Sequence, residues 1–238
     1  MTMNYFDMHS HILPGVDDGC KTVEQSLELI NIHLKNGVKN ICLTPHYYSN
    51  EISLEDFADA RDEAFEKLKP RLPEGVTVSL GAEVYVSKYL FNNSDISRAC
   101  YGKSRYMLTE FPYNSSFTGK SLDKLLRIRD NYGITPIIPH IERYPNVFED
   151  EGTLEELTDM GVIIQTNVSS FEKFFRRNRI LKLIDRGLIH ILGTDAHSLN
   201  RGNPDLYLQA CGFIRKKCGE ERLVQMQKTA EEIFSSAL

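Results

Sequence analysis

From Tyr5 to Thr194 the chain alternates short runs rich in Val, Ile and aromatic residues with longer amphipathic stretches, and this rhythm limits the fold more than any other feature. It predicts strands over Tyr5–Ile12, Asn40–His46, Val76–Tyr85, Tyr106–Phe111, Thr135–Ile141, Val162–Val168 and His190–Thr194. Helices are predicted between them, over Thr22–Asn36, Leu54–Lys69, Gly119–Tyr132, Thr153–Met160 and Arg179–Arg186. Two more, Pro204–Lys217 and Glu220–Ser236, close the chain. Gly37, Gly133, Gly161 and Gly187 stand where several helices end, the position at which glycine relieves a left-handed cap. Repeated strand–helix units need crossover connections and therefore favour an α/β fold with a parallel sheet. About seven units in 238 residues, with no linker between them, predict a single domain over residues 1–238 built as a TIM-like barrel, complete or not. Residues 87–105 and 171–178 break the rhythm and read as loops or short helices over the barrel mouth. Phe91, Phe117, Phe174 and Phe175 read as cover for the core.

The composition narrows the function. A net charge of -5 offers no basic surface for nucleic acid or anionic lipid. No apolar run approaches the roughly 18 residues of a membrane span, and the N-terminus lacks a basic-then-apolar leader pattern. Five cysteines, scattered without a C-x-x-C pair, fit free thiols in a reducing compartment. The expectation is a soluble cytoplasmic protein with no nucleic-acid partner and no membrane span. Oligomerisation is left open.

Chemistry collects at the carboxyl ends of the strands, where barrels of this kind place their reactive groups. The first strand supplies His9 and His11, two residues apart and so on one face, followed by Asp18 in a turn. The second ends in His46, the third carries Glu83, and the fourth carries Glu110. The fifth carries His140 and then Arg143, and the last ends in Asp195 and His197. Five of the seven histidines lie at these ends; the other two, His33 and His190, read as structural. Imidazoles mixed with carboxylates suit zinc, iron, manganese and similar ions. Nine such residues exceed the needs of one tetrahedral ion and fit a cluster of two or three, a device suited to hydrolysis of phosphate esters. Arg143 and Arg201 are placed to grip phosphate oxygens.

These residues fall in ordered motifs: D-M-H-S-H-I-L-P-G-V-D-D-G from Asp7, T-P-H at 44–46 and G-A-E at 81–83, then T-E-F at 109–111, P-H-I-E-R-Y at 139–144 and G-T-D-A-H at 193–197. The set resembles the polymerase-and-histidinol-phosphatase (PHP) superfamily of metal-dependent phosphoesterases. More narrowly, it resembles the bacterial protein-tyrosine phosphatases of the CpsB/YwqE type, which act on capsule and exopolysaccharide tyrosine kinases. The resemblance spans Asp7 to Arg201 and implies a distorted (β/α)7 barrel.

It also implies three metal positions. The first is held by His9, His11, Glu83 and Asp195, and the second shares Glu83 and adds Glu110 and His140. The third uses Asp18, His46 and His197. Manganese leads the candidates, with iron, cobalt and zinc compatible. Asp7 and Asp17 would orient the histidines, and Arg143 and Arg201 would bind the phosphate. Direct attack by a metal-bound hydroxide is implied, without a phospho-enzyme, on the tyrosine-phosphorylated tail of a bacterial tyrosine kinase. A cysteine-dependent phosphatase needs arginine six residues after its cysteine. Here those positions hold Ser26, Tyr48, Tyr106, Lys217 and Val224. The remaining rivals are a phosphatase of small phosphomonoesters such as histidinol phosphate and a non-catalytic phosphotyrosine binder. A PHP nuclease would want a basic track, and an amidohydrolase would not need Glu83, Glu110 and both arginines together.

Overall fold

The computed structural model describes residues 3–113, 117 and 119–238. Among these residues the strands are β1 (Tyr5–Asp7), β2 (Val38–Leu43), β3 (His46–Tyr48), β4 (Thr77–Leu80), β5 (Glu83–Tyr85), β6 (Tyr106–Glu110), β7 (Thr135–Ile138), β8 (Ile163–Asn167) and β9 (Ile191–Gly193). The α-helices are α1 (Val23–Lys35), α2 (Leu54–Leu68), α3 (Gly119–Tyr132), α4 (Pro145–Phe148), α5 (Glu151–Asp159), α6 (Phe174–Asp185), α7 (Tyr207–Cys218) and α8 (Glu220–Ala237). The strand pairings are parallel, as the crossover rhythm requires. No helix among the described residues is long and apolar enough to cross a membrane.

The strands form two sheets, β1-β2-β4 and β3-β5-β6-β7-β8-β9, instead of one closed ring. The division falls inside two expected strands. Residues 40–46 are interrupted at Thr44–Pro45, and Pro45 has no N–H to continue a ladder. Residues 76–85 are interrupted at Gly81, where an added Cβ would lie 2.6 Å from the Tyr101 ring. Backbone bonds from Gly81 N–H to Leu43 O and from Glu83 N–H to Pro45 O, each 2.9 Å, bridge the break. On the other side Met8 N–H donates to Leu192 O (3.2 Å) and Asp195 N–H to His9 O (2.8 Å). The first expected strand therefore ends at Asp7, and His9 and His11 stand beyond it on chain held by its neighbours.

Phe6, Met8, Cys42, Leu108, Ile137 and Ile191 come from both sheets and meet in one buried interior cluster. The last turns of α8 fill it with Ala230, Ile233, Phe234 and Ala237. Residues 87–105 form two short 3-10 turns, Lys88–Asn92 and Ser97–Ala99, and then turn inward. Tyr101 joins the interior cluster, and its OH donates to Met8 O at 2.7 Å, so this end of the segment does not cap the mouth. α6 begins at Phe174, five residues before the expected start. Its first residues correct a second expectation: Phe174 and Phe175 are 59% and 86% exposed and do not cover the core, whereas Phe117 is buried.

His33 and His190 are structural, as expected. His33 Nε2 pairs with Asp7 Oδ2 at 2.7 Å, and its Nδ1 donates to Leu29 O. His190 Nδ1 accepts the Ile164 N–H at 2.9 Å, which requires a neutral ring. Burial, reinforced by Arg222, pushes this imidazole down to about 4. Its folded pKa lies below the unfolded value of about 6.5. Stability is therefore complete above pH 6.5 and declines toward pH 4, as the unfolded chain takes up a proton that the fold refuses. Gln at position 190 keeps an acceptor and does not titrate. Urea unfolding of chelated wild type and His190→Gln is expected to show the wild type losing about 2 kcal/mol relative to the variant between pH 7 and pH 4.5. Parallel pH profiles would refute this.

Candidate metal centre

The nine acid and imidazole side chains converge at one end of the sheets. Four groups have candidate ligand atoms within 4.8 Å of one another: His9, His11 and Asp195; His9, Glu83 and His140; His46, Glu83 and Glu110; and His11, Asp18, His46 and His197. Every one of the nine belongs to at least one group. The grouping is more interleaved than the resemblance implies, because His11 reaches both the His9 side and the Asp18 side.

Glu83 is the hub. It opens β5 directly after the Gly81 break and is buried. Its Oε1 lies 2.7 Å from His140 Nε2. Its Oε2 lies 3.0 Å from His46 Nδ1, 3.2 Å from His11 Nε2 and 3.3 Å from His9 Nε2. One carboxylate thus faces four imidazoles. Despite burial, His9 and the hydrogen-bonded imidazoles hold its carboxyl well below the usual range. Glu110, at the end of β6, moves the other way, raised by burial and by the neighbouring charge of Glu83.

The loop after β1 is folded by Asp17. Its Oδ2 binds His11 Nδ1 at 2.6 Å and the His46 N–H at 3.0 Å, and its Oδ1 takes the Gly19 N–H at 2.8 Å. Burial resists its charge, but His11 prevails and lowers the carboxyl. In return His11, also against burial, is raised to about 10 by Asp17 and Glu83. Asp17 therefore orients a histidine ring, as expected. Asp7 orients none of the cluster's rings: it binds the backbone N–H groups of His9 (3.3 Å) and Thr194 (2.8 Å), and the ring it holds is that of His33, outside the cluster.

His140 and Asp195 follow β7 and β9 with φ of 33° and 55°, the left-handed region that costs a non-glycine residue on the order of 1–3 kcal/mol. Asp195 is held at about 2, against burial, by His9 and Arg143. His197 is pushed down to about 4 by burial and by His11. Arg143 pairs with Asp195 and also reaches the Tyr113 OH at 3.1 Å. Arg201 Nη1 lies 2.5 Å from Asp18 Oδ2 at the rim, beside a cavity of about 410 Å³ shared with Lys21, Gln25, His197 and Leu199. Both arginines thus reach the cluster through its carboxylates.

A test of fit for cations comes from unpaired polar atoms. Buried N and O atoms are nearly always hydrogen-bonded in folded proteins. Among the described residues seven side-chain atoms are not, and five belong to this cluster: His46 Nδ1, Glu83 Oε2, His140 Nδ1, Asp195 Oδ1 and His197 Nε2. Such concentration suits bound divalent ions. The cysteines offer no alternative chemistry: all five are unpaired, and burial raises Cys20 to about 11 and Cys100 and Cys211 to about 12.

Sequence reasoning missed three participants. Tyr113 bonds Glu110 and sets its ring edge-on to His140, with centroids 5.5 Å apart. Gln165 and Asn167, on β8, contact His9, His140 and Asp195. The detectable sign was I-I-Q-T-N, a strand with three polar residues in a row, all of them buried.

The model of a family described as "Capsular polysaccharide synthesis, CpsB/CapC" matches residues 5–234. The chain is 32% identical to the tyrosine-protein phosphatase CpsB of Streptococcus pneumoniae over 96% of its length and 94% of that protein's. It is 31% identical to the putative tyrosine-protein phosphatase CapC of Staphylococcus aureus, over 97% and 91%. A chain from the crystal structures of YwqE of Bacillus subtilis and CpsB of S. pneumoniae, described as metal-dependent tyrosine phosphatases, shares its fold. That match has a TM-score of 0.77 at 24% identity and covers 98% of this chain and 95% of the other. Matched along nearly its whole length, the chain belongs to the CpsB/CapC family of capsular polysaccharide synthesis.

Proposed function

We propose that this protein is a metal-dependent protein-tyrosine phosphatase acting on the phosphorylated tail of a bacterial tyrosine autokinase of capsule or exopolysaccharide synthesis. The observation that carries the reading is the Glu83 carboxylate facing His9, His11, His46 and His140, ringed by further unpaired ligand atoms. The names of its relatives, tyrosine-protein phosphatases, support the substrate class. His9, His11, Glu83 and Asp195 would hold one ion; Glu83, Glu110 and His140 a second; Asp18, His46 and His197 a third, with manganese the first candidate. Divalent ions there supply Lewis acidity toward a phosphoryl oxygen and acidify water.

The chain's own residues do the rest. Arg143 and Arg201, each already facing a carboxylate of the cluster, turn their remaining donors to the substrate phosphate. Asp17 keeps the His11 ring fixed. Tyr113 sets an aromatic ring beside the cluster, suited to an aryl ester. Five unpaired cysteines fit action in the reducing cytoplasm.

Phosphate release from a phosphotyrosyl peptide, run beside histidinol phosphate, tests the reading. Chelation is expected to abolish release from the peptide, and added manganese to restore it, with little turnover of histidinol phosphate. The opposite preference would keep the metal centre and replace the substrate. Retention of the peptide without turnover, metal present, would make the protein a binder.

A further inference from the structure

We infer that Gln165 and Asn167 form an amide relay that sets the orientation of three metal-ligand candidates, and so act as positioning residues. This deepens the metal-centre reading above and rests on it. Gln165 is fully buried. Its Oε1 accepts the His140 N–H at 2.7 Å and lies 3.3 Å from His9 Nδ1. Its Nε2 donates to Asn167 Oδ1 at 2.9 Å, and Asn167 Nδ2 donates to Asp195 Oδ2 at 3.0 Å.

The polarity of this chain of bonds follows from one fixed donor. The His140 backbone N–H can only donate, so it must face the oxygen of Gln165. Gln165 then has only NH₂ for Asn167, which must offer its oxygen in return. That leaves the Asn167 NH₂ for Asp195. The same oxygen of Gln165 can only accept from His9 Nδ1, so the Nδ1 proton stays there and Nε2 keeps its lone pair. His9 Nε2 is the atom that looks into the cluster, 3.3 Å from Glu83 Oε2. At the other end Asn167 and Arg143 occupy Asp195 Oδ2, and Oδ1 is the buried oxygen left unpaired.

Gln165 also ties down the left-handed His140 backbone. Space for it depends on Gly193, where an added Cβ would lie 2.6 Å from Gln165 Nε2 and 2.7 Å from His9 Cβ. The relay thus ties β8 to the chain after β1, β7 and β9, directing the ligand atoms of His9 and Asp195 and holding the backbone that carries His140.

The experiment is calorimetric titration of chelated, folded protein with manganese alone, beside thermal unfolding of the same samples. Gln165→Leu and Asn167→Leu are expected to bind manganese 10–100-fold more weakly than wild type. Gln165→Glu, which keeps the acceptor but forces Asn167 to turn its oxygen toward Asp195, is expected to do the same. Thr166→Val removes a neighbouring buried bond, Thr166 Oγ1 to Glu142 Oε2 at 2.8 Å, outside the relay. It is expected to unfold earlier yet keep its manganese affinity. Wild-type affinity in the Gln165 and Asn167 variants, or equal loss in Thr166→Val, overturns the relay. A wild type that binds manganese but releases no phosphate overturns the phosphatase reading alone, and one that binds none overturns both.

Discussion

Glu83→Gln is expected to lower turnover of a phosphotyrosyl peptide by at least about a thousandfold, or about 4 kcal/mol of transition-state stabilisation. The substitution changes one atom, yet that atom belongs to the only carboxylate within 3.3 Å of four imidazoles among the described residues. An amide carries no charge to attract divalent ions, and its NH₂ would meet rings that need an acceptor. Removing one partner from a buried charged network costs more than the pair contributes, because the remaining charges are left uncompensated. Metal analysis of the purified variant should therefore show loss of bound ion along with loss of rate. A variant with wild-type rate and metal content would remove Glu83 from the hub.

Gly19→Ala is expected to destabilise the protein by about 3 kcal/mol or more and to take activity with it. A Cβ at position 19 would lie 2.0 Å from His11 O, 2.7 Å from His11 Cβ and 2.9 Å from Asp17 Oδ1. The first two contacts are the backbone O and the Cβ of His11, whose ring is already clamped by Asp17, so neither can swing aside. Relief requires moving the turn, which breaks the Gly19–Asp17 bond (2.8 Å) and the Cys20 N–H to His11 O bond (3.1 Å). His11 is then released from its orientation. Thermal unfolding and the phosphate assay on one sample check this. An unchanged midpoint would mean the turn has slack that the contacts do not show.

Periodicity was enough to read the parallel α/β architecture and the helix positions, because each unit must cross over and bury an apolar face. It did not show where strands break. Thr44–Pro45 and Gly81 lie inside stretches that read as continuous strands: Pro45 interrupts the first by lacking an N–H, and the break at Gly81 goes with Tyr101, which arrives from about twenty residues downstream. The strand ends were legible as carriers of His9, His11, Asp18, His46, Glu83, Glu110, His140, Asp195 and His197, and the fold brings these into one cluster. Their grouping was less legible, because ring orientation depends on partners such as Gln165 that come from another strand. The exposure of Phe174 and Phe175 escaped for a related reason: an apolar residue declares its preference for burial, but not whether the fold has room for it.

The bond from Asp195 N–H to His9 O joins the segment after the first strand to the segment after the last. A pairing of such sequence separation forms only after nearly all of the intervening chain has been made and folded. During synthesis, therefore, the N-terminal histidines emerge long before the carboxylate that completes their group. The His9–His11–Asp195 group cannot assemble on a nascent chain that stops short of β9, so this part of the cluster is among the last to form.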